Sequence, residues 1–407
     1  MKPDSNGNTN GTAPTRDIDM SSGRWRADFF DRVEKAVVKI GSGVLTGPEG
    51  LNLDAINGIA DQIAFLFGKG IDVILVSSGA VASGVKKIGM SRRPANIPQK
   101  QAAAAVGQAG LIMEYEKAFE DHKRLVAQIL LTRDDLSNRR RYLNARNTLL
   151  TLLSWGIVPI VNENDTVVVQ ELKFGDNDNL AAMISHLMDA DVLVALTDTE
   201  GLYSADPRLY EEAELVPTVH RVTRKLEQQA GEHPGAEGTG GMLSKIRAAR
   251  KATEAGIPVV VCSGLRPRVL RDLFEGVEVG TFFMPRKQRM ASRKCWLAYA
   301  TRARGALLLD EGAVRAVAES GKSLLPIGVR EVVGEFPVGS PVEVRTLSGA
   351  VIARGLVNYS SGDIQKIAGL RSGAISDVLG YKSYDEVIHR DNLVVDRNRE
   401  EEEFSCP

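Results

Sequence analysis

Residues 175–208 read GDNDNLAAMISHLMDADVLVALTDTEGLYSADPR, and this stretch decides the fold class. After a loop rich in Gly, Asn and Asp, the helical spacing of Ala181, Ile184 and Leu187 predicts a helix. Residues 191–197 form a largely apolar run, typical of a strand that is buried on both faces. Because open α/β sheets bind ligands in loops at strand ends, the pattern predicts an α/β unit with two candidate site loops. One such loop alone is more often a turn or a helix cap.

Strand and helix patterns alternate in the same way over the first two thirds of the chain. Apolar runs predict strands at 36–40, 71–76, 124–131, 157–161, 191–197 and 257–261. Helical spacing predicts helices at 54–67, 99–119, 142–155 and 243–255. This alternation indicates an α/β fold, with a mostly parallel sheet covered by helices on both faces.

The pattern changes beyond residue 285. Short strands separated by Gly and Pro turns are predicted at 296–299, 306–309, 329–333, 342–345 and 351–357. They favour a small β-barrel-like domain or a β-sandwich. We therefore expect five segments: a disordered extension at 1–30, an α/β catalytic domain at 31–285, a linker at 286–294, a β domain at 295–385 and a tail at 386–407.

Composition excludes several classes of protein. A formal net charge of −1 on 407 residues argues against a globally basic nucleic-acid binder or a protein of the membrane surface. No apolar run approaches the ~20 residues of a membrane span, and the polar N-terminus lacks the apolar core of a signal peptide. Cys262, Cys295 and Cys406 are far apart and show no CxxC spacing, so we expect reduced thiols. These features predict a cytoplasmic protein with no membrane partner.

Two lysines stand where a positive charge is costly. Lys39 ends an apolar strand, and Lys245 lies at the start of a helix, where the helix dipole disfavours a cation. Both placements are explained if a phosphoryl group lies between the two side chains. Taken alone, Lys245 is equally well explained as an exposed helix residue.

Glycines next to predicted strand ends or helix starts support the same interpretation. They are Gly41, Gly43, Gly79, Gly240 and Gly241. A backbone without Cβ atoms can approach a phosphate closely. Each of these glycines alone is more often a turn residue, but together they favour an anion-binding face.

Other nucleotide and hydrolase motifs are missing from the sequence. A Walker loop ending at Gly321-Lys-Ser323 would need glycine at position 316, where Ala316 stands. No GxGxxG follows a predicted strand, no GxSxG is present, and the histidines do not pair at metal-ligand spacing. The sequence therefore argues against a Walker-type nucleotide site, a Rossmann dinucleotide enzyme and a zinc hydrolase.

Six motifs, in the expected order, resemble the amino acid kinase family. They are VVKIGSGVLT (37–46), SSGAVASG (77–84), VNENDTV (161–167), FGDNDNLAA (174–182), LTDTEGLYSADPR (196–208) and GTGGMLSK (238–245). Ser244 stands where threonine is common, but the hydroxyl group is kept. The tail resembles a PUA domain through LLDEGAVRAV (308–317), SLLPIGV (323–329) and IAGLRSGAISDVLGY (367–381). The resemblance implies an amino acid kinase domain at 31–285 and a PUA domain at 295–385.

Within the family, the motifs are similar to those of the branch that phosphorylates glutamate. The resemblance implies transfer of the γ-phosphoryl group of ATP to the γ-carboxylate of L-glutamate, which gives L-glutamyl 5-phosphate in the first step of proline biosynthesis. It also implies feedback inhibition by proline and a homo-oligomer, either a dimer or a tetramer. The alternatives are another amino acid kinase, acting on acetylglutamate or aspartate, and an RNA-binding role through the PUA domain, for which no basic stripe is visible.

The resemblance also assigns site residues. The catalytic residues would be Lys39, Lys245 and Asp178, the glutamate-binding residues Ser78, Asp165 and Asn177, and the ATP-binding residues Lys39, Thr197, Asp198, Thr239, Gly240, Gly241, Met242, Leu243, Ser244 and Lys245. Mg²⁺ would arrive with ATP rather than bind in a cage of protein ligands, and Asp176 is equally well an outer-sphere partner or a turn residue. A carboxylate substrate is already ionised at neutral pH, so the reaction needs no general base.

Overall fold

The computed structural model describes residues 18–47, 50–90, 94–167, 177–231, 241–286 and 303–395. The chain divides into two compact units. The larger contains Met1–Thr132 and Arg146–Ala291, and the smaller contains Arg133–Ala145 and Ser292–Pro407. The expected linker at 286–294 lies outside the described residues from position 287 onward.

A mostly parallel sheet forms the centre of the larger unit. The strands of this unit are β1 (Lys35–Ile40), β2 (Thr46–Gly47), β3 (Gly50–Leu51), β4 (Asp72–Ser77), β5 (Val126–Leu131), β6 (Val158–Glu163), β7 (Val192–Thr197), β8 (Thr218–Val219), β9 (Val259–Ser263) and β10 (Thr281–Phe283). Eight of them form one sheet in the order β5-β6-β4-β1-β7-β9-β10-β8. Neighbouring strands from β5 to β9 are parallel, β10 is antiparallel to β9, and β8 is parallel to β10. The predicted sheet is confirmed.

Helices alternate with these strands along the chain. As far as residue 274 they are α1 (Trp25–Phe30), α2 (Ser42–Leu45), α3 (Leu53–Gly68), α4 (Ala80–Ile88), α5 (Ile97–Glu120), α6 (Arg133–Ser137), α7 (Arg139–Ser154), α8 (Asn177–Leu187), α9 (Arg224–Gly231), α10 (Met242–Glu254) and α11 (Val269–Phe274). Of these, α6 and residues 139–145 of α7 belong to the smaller unit. Each predicted helix is present, with ends shifted by a few residues at most. Helix α9 was not predicted, because its sequence RKLEQQAG contains a single large apolar residue and so no apolar stripe.

The sheet is covered on both faces. Along β1, Val38 and Ile40 belong to the same buried cluster as Ile59 of α3. Because side chains alternate between the two faces of a strand, Lys39 lies on the opposite face, where α8 packs against β1, β4, β6 and β7. Strands β6 and β7 are buried along their whole length, as expected for a sheet with two covered faces. Lys39 therefore faces α8.

Helix α1 corrects the expected disorder at 1–30. Phe29 and Phe30 of this helix are each 2% exposed, and the ring of Phe29 packs edge to face on Phe282 with a centroid distance of 5.5 Å. Burial of large aromatic surfaces stabilises the helix against the entropy lost on ordering. The expected disordered segment was too long, because the polar composition of the N-terminus ends before the aromatic segment WRADFF of α1. Residues 1–17 lie outside the described residues.

The smaller unit has a separate five-stranded sheet. Its elements from residue 303 are β11 (Ala306–Leu309), α12 (Glu311–Ala318), β12 (Val329–Val333), β13 (Pro341–Thr346), β14 (Val351–Leu356), α13 (Ser361–Ile367), α14 (Ile375–Leu379) and β15 (Leu393–Val395). The strand order is β12-β11-β13-β14-β15. The predicted strand at 296–299 lies outside the described residues. Because β15 pairs with β14, the fold continues beyond residue 386, where we expected a tail to begin.

Among the residues that the structure describes, no helix is long and apolar enough to span a membrane.

Cys262 of β9 is buried and unpaired, and burial raises the pKa of its thiol to about 12. This thiol is protonated at neutral pH and serves as a small apolar core group. Cys295 and Cys406 lie outside the described residues.

Candidate active site

Three charged side chains from separate elements meet at one end of the sheet. Lys39 lies near the end of β1, Asp178 in the first turn of α8 and Lys245 in the first turn of α10. They are 4%, 2% and 7% exposed, respectively. Lys39 forms an ion pair with Oδ1 of Asp178, and Nζ of Lys245 lies 3.7 Å from Oδ2. The structure therefore brings together the three residues predicted to be catalytic.

The electrostatic state of Asp178 follows from these contacts. Burial alone would raise the pKa of its carboxyl group, but the charges of Lys39 and Lys245 and hydrogen bonds from Lys39 and Ser244 lower it below the ordinary value. Ser244 donates from Oγ to Oδ2 of Asp178 over 3.0 Å. Asp178 is thus a carboxylate at neutral pH, and it contacts both ammonium groups. It also lies in the first turn of α8, where the helix dipole favours an anion.

Glycines allow the loops around these groups to approach one another. The backbone nitrogen of Gly41 donates to the oxygen of Leu196 over 2.9 Å, which joins the loop after β1 to the end of β7. A Cβ atom at Gly43 would lie only 3.1 Å from the carboxyl carbon of Asp198. The expected role of these two glycines in close backbone approach therefore has a geometric basis, although no phosphate is needed to explain it.

A second polar cluster lies at the ends of β4 and β6. The Nδ2 atom of Asn177 donates to Oγ of Ser78 and to Oδ1 of Asn162, each over 3.0 Å, and to the backbone oxygen of Ser77 over 2.9 Å. Asn162 donates in turn to Oε1 of Gln108 over 2.8 Å. Two of the predicted substrate residues are thus in direct contact. The Oδ1 atom of Asn177 is buried and has no hydrogen-bond partner among the described residues.

Asp165, the third predicted substrate residue, lies in the turn after β6. Its backbone nitrogen donates to the oxygen of Glu163 over 2.9 Å, and its side chain is half-buried. Strands β4 and β6 are parallel neighbours, so Asp165 and Ser78 follow strand ends at the same edge of the sheet. Asp165 therefore follows the same strand as Asn162 of the cluster, three residues further along the chain.

Sequence reasoning missed Gln108 and Asn162 as contributors to this cluster. Asn162 belongs to the motif VNENDTV, but only the charged Asp165 of that motif was assigned to the substrate. Gln108 lies on the buried face of α5, whose other members include Ala104 and Leu111. A single amide on an apolar helix face was the available signal, because a buried polar group needs a partner.

A cavity of about 910 Å³ opens next to Lys245. This volume lies in the range of nucleotide and cofactor sites. The predicted nucleotide residues that line it are Thr197, Asp198, Gly241, Met242 and Lys245. Leu243 and Ser244 lie in the first turn of α10 but do not line it, and Thr239 and Gly240 lie outside the described residues, as does Asp176.

Much of the cavity wall was not predicted. Residues 203–208, which end the stretch 175–208, line it. Another part of the wall comes from β8 and α9 and contains Thr218, Val219, Lys225, Leu226 and Gln229. These elements have two and eight residues and lack the apolar runs on which the strand and helix predictions rested.

The described residues offer no ready-made metal cage. No group of three or more His, Cys, Asp or Glu side chains in the described part of the chain is placed to hold a metal ion. Mg²⁺ commonly binds through substrate phosphates and one or two carboxylates, with water as the remaining ligands.

Two ammonium groups around one carboxylate, beside a cavity of nucleotide size, suit phosphoryl transfer, because negative charge spreads over the transferred group in the transition state. Fold and site together define an α/β kinase. The chain belongs to the amino acid kinase family, whose family model matches residues 34–263. A model of the PUA domain matches residues 305–379.

Similar proteins extend over nearly the whole chain. It is 52% identical over 371 residues to the glutamate 5-kinase of Geobacter sulfurreducens, a match that covers 91% of this chain and 100% of the relative. The glutamate 5-kinase of Syntrophus aciditrophicus is 50% identical over 372 residues, covering 91% and 97% of the two chains. Among solved structures, a UMP kinase from Bacillus anthracis gives a TM-score of 0.44 at 16% identity, covering 62% of this chain and 97% of that chain. The assignment to the family does not depend on that structure.

Proposed function

We propose that the protein transfers the γ-phosphoryl group of ATP to the γ-carboxylate of L-glutamate, giving L-glutamyl 5-phosphate for proline biosynthesis. The observation that carries the proposal is the contact of Lys39 and Lys245 with the single buried carboxylate of Asp178. The glutamate 5-kinases that are about half identical to this chain support the choice of substrate.

The two lysines have different positions, which suggests a division of labour. Lys39 comes from the centre of the sheet, whereas Lys245 also lines the cavity and lies at a helix N-terminus. We assign Lys245 to the oxygens of the β- and γ-phosphates on the nucleotide side, and Lys39 to the transferred group on the acceptor side. Asp178 keeps both ammonium groups in place and contacts neither substrate, so it acts as a positioning residue. Electrostatic preorganisation of this kind lowers the barrier because the charges need not reorganise during the reaction.

The acceptor would bind in the cluster around Asn177. The half-buried carboxylate of Asp165 suits the α-ammonium group of glutamate, and the hydroxyl of Ser78 suits one of its carboxylates. The unpartnered Oδ1 atom of Asn177 would accept a hydrogen bond from the ammonium group. Asn177 and Asp178 are consecutive, so glutamate bound here lies close to the lysine pair. The acceptor carboxylate attacks as an ion, without a general base.

ATP would occupy the cavity beside Lys245, with Thr197 and Asp198 at the end of β7 on one wall. Mg²⁺ would enter with the nucleotide and neutralise charge on its phosphates. No step is assigned to a protein ligand of the metal. We place the reaction in the cytoplasm, where ATP and glutamate are both available.

A trapping assay tests this function. Purified protein is incubated with ATP, Mg²⁺ and hydroxylamine, together with glutamate, acetylglutamate or aspartate in separate reactions, and hydroxamate formation is measured. We expect hydroxamate with glutamate, and none without ATP. Hydroxamate with acetylglutamate or aspartate but not with glutamate would assign another acceptor. No product with any of the three acids would refute the proposal.

Feedback inhibition and assembly belong to the same proposal. We propose that proline competes with glutamate, which predicts a higher KM for glutamate at fixed proline and an unchanged kcat. Assembly into a dimer or tetramer is measured by sedimentation.

For the smaller unit, the guanidinium groups of Arg330, which is exposed, and Arg345, which is half-buried, are paired with Asp310 and Glu343. These pairs favour a solvated surface over an RNA-binding one.

A further inference from the structure

Helix α1 supports one wall of the cavity from behind. Its Arg26 is 3% exposed, and Nη2 donates to the backbone oxygen of Pro217 over 2.7 Å. The same oxygen accepts a hydrogen bond of 2.9 Å from the backbone nitrogen of Phe282. Pro217 stands between Val216 and Thr218, which both line the cavity. Arg26 does not line the cavity, and its shortest contact with the wall segment is the one with this backbone oxygen.

The wall needs support at this point because strand β8 is weakly held. This strand has two residues, Thr218 and Val219, and within the described residues it is the last strand of the sheet, paired with β10 alone. Short edge strands form few ladder hydrogen bonds and open readily. Both residues of β8 line the cavity. The hydrogen bond from Arg26 therefore stabilises the wall at a position where the sheet supplies few hydrogen bonds.

The guanidinium group of Arg26 is suited to this contact. Its other polar partners are the oxygen of Val279 at 3.5 Å, Oγ1 of Thr218 at 3.5 Å and the exposed carboxylate of Glu278 at 3.7 Å. The group also lies over the rings of Trp25 and Phe282, 5.2 Å and 5.8 Å from their centroids. Burial lowers the pKa of Arg26, but arginine stays protonated in proteins. Hydrogen bonds from a charged donor are stronger than neutral ones. The bond to Pro217, at 2.7 Å, is the shortest of these contacts and so the strongest.

A second buried group holds the same wall from β10. Thr281 is fully buried, and its Oγ1 atom accepts from the backbone nitrogen of Leu202 over 2.8 Å and donates to the oxygen of Val216 over 2.7 Å. Leu202 and Val216 both line the cavity. Arg26 and Thr281 thus donate hydrogen bonds to consecutive backbone oxygens of the same segment, those of Pro217 and Val216. Both residues lie outside the stretch 34–263 that the family model matches.

We infer that Arg26 is a positioning residue for the nucleotide, which acts through Pro217 on the cavity wall formed by Val216, Thr218 and Val219. The inference rests on the proposed function, because it takes the cavity as the site of ATP. Loss of the guanidinium group loosens the wall and weakens nucleotide binding. We expect the Lys39, Asp178 and Lys245 contacts to stay unchanged, since the polar contacts of Arg26 are with other residues.

Steady-state kinetics of the full chain test the inference. In Arg26→Ala we expect the KM for ATP to rise about fivefold to tenfold, the scale of one net hydrogen bond, while kcat and the KM for glutamate change by less than about twofold. Arg26→Lys keeps a charged donor and should recover part of the affinity. Arg32→Ala is the matched control, because the side chain of Arg32 is exposed and donates to the oxygen of Asp28 within its own segment, over 2.9 Å. A purely structural role would lower the melting temperature and the active fraction without a selective change in the KM for ATP.

The outcomes separate this inference from the proposed function. A KM for ATP that stays within about twofold of the wild-type value in Arg26→Ala overturns the inference, and so does an equal rise in Arg32→Ala. If Arg26→Ala fails to fold, Thr281→Val decides: a selective rise in the KM for ATP supports the inference, and an unchanged KM overturns it. If the wild type phosphorylates none of the acids, the proposed function fails, and calorimetry with ADP then tests the inference alone. Weaker binding of ADP by Arg26→Ala supports it, whereas equal affinity, or no binding by the wild type, overturns it.

Discussion

Asn177 donates a hydrogen bond from Nδ2 to Oγ of Ser78 over 3.0 Å and so joins the first turn of α8 to the loop after β4. The same amide group donates to Asn162 at the end of β6. The next residue, Asp178, holds the two lysines. The first turn of α8 therefore contacts the polar cluster through Asn177 and the two lysines through Asp178. On the proposed roles, this arrangement sets the distance between the acceptor and the transferred phosphoryl group.

Removal of the Asn177 amide should weaken glutamate binding selectively. Asn177→Ala deletes the donor to Ser78 and Asn162 and the buried acceptor Oδ1. We expect the KM for glutamate to rise about tenfold to a hundredfold, the scale of one or two hydrogen bonds to a charged ligand, with a smaller change in the KM for ATP. Initial rates measured while each substrate is varied in turn provide the test.

Asn96→Ala is the control for the Asn177 variant. The side chain of Asn96 caps α5 by accepting from the backbone nitrogen of Gln99 over 3.0 Å. Its loss should lower the free energy of unfolding by about 1 kcal/mol without altering the KM for glutamate. If Asn177→Ala showed the same kinetics as Asn96→Ala, Asn177 would have no place in the acceptor site.

Lys245 should matter most during the chemical step. Lys245→Met keeps most of the side-chain volume but removes a charge that lies 3.7 Å from Asp178 at the cavity wall. Because the charge acts on negative charge that spreads in the transition state, we expect kcat to fall by about a hundredfold to a thousandfold, with a small change in the KM for glutamate. Lys117→Met, at an exposed lysine paired with Glu114, should leave kcat unchanged. A fall confined to KM would reassign Lys245 to ground-state binding.

The stabilising effect of Asp178 should depend on pH in one direction. Its folded-state pKa is depressed, so its contribution is complete above the unfolded pKa of ~3.9 and is lost as the pH falls through the folded value. At pH 7, Asp178→Asn should lower the free energy of unfolding by about 3 kcal/mol, because two buried ammonium groups lose their counterion. Urea unfolding should give a constant difference between wild type and variant from neutral pH to about pH 5, and a shrinking one below about pH 4. A difference that grows on acidification would contradict the assigned charge state.

The sequence predicted the parts of the site that lie on long, regular elements. Lys39 was identified because a cation ends an apolar strand, and Lys245 because a cation begins a helix after glycines. The wall formed by β8 and α9 was missed, because a strand of two residues is too short to show a pattern and α9 has a single large apolar residue. Gln108 and Arg26 were missed for another reason. Their partners, Asn162 and Pro217, are distant in sequence, and only the folded chain brings them together.

Close packing of α4 on α5 should be essential for the loop that carries Ser78. A Cβ atom at Gly84 of α4 would lie 1.7 Å from the backbone oxygen of Ala103 in α5, which no side-chain adjustment can relieve. We expect Gly84→Ala to lower the free energy of unfolding by more than about 3 kcal/mol, measured by urea denaturation. Gly58→Ala in α3 is the matched control, because a Cβ atom there meets nothing within 4 Å, and it should raise the free energy by about 0.5–1 kcal/mol. If Gly84→Ala remains folded, its displaced α4 must move Ser78, so the KM for glutamate should rise as well. Equal stability of the two glycine variants would show that the helices separate at little cost.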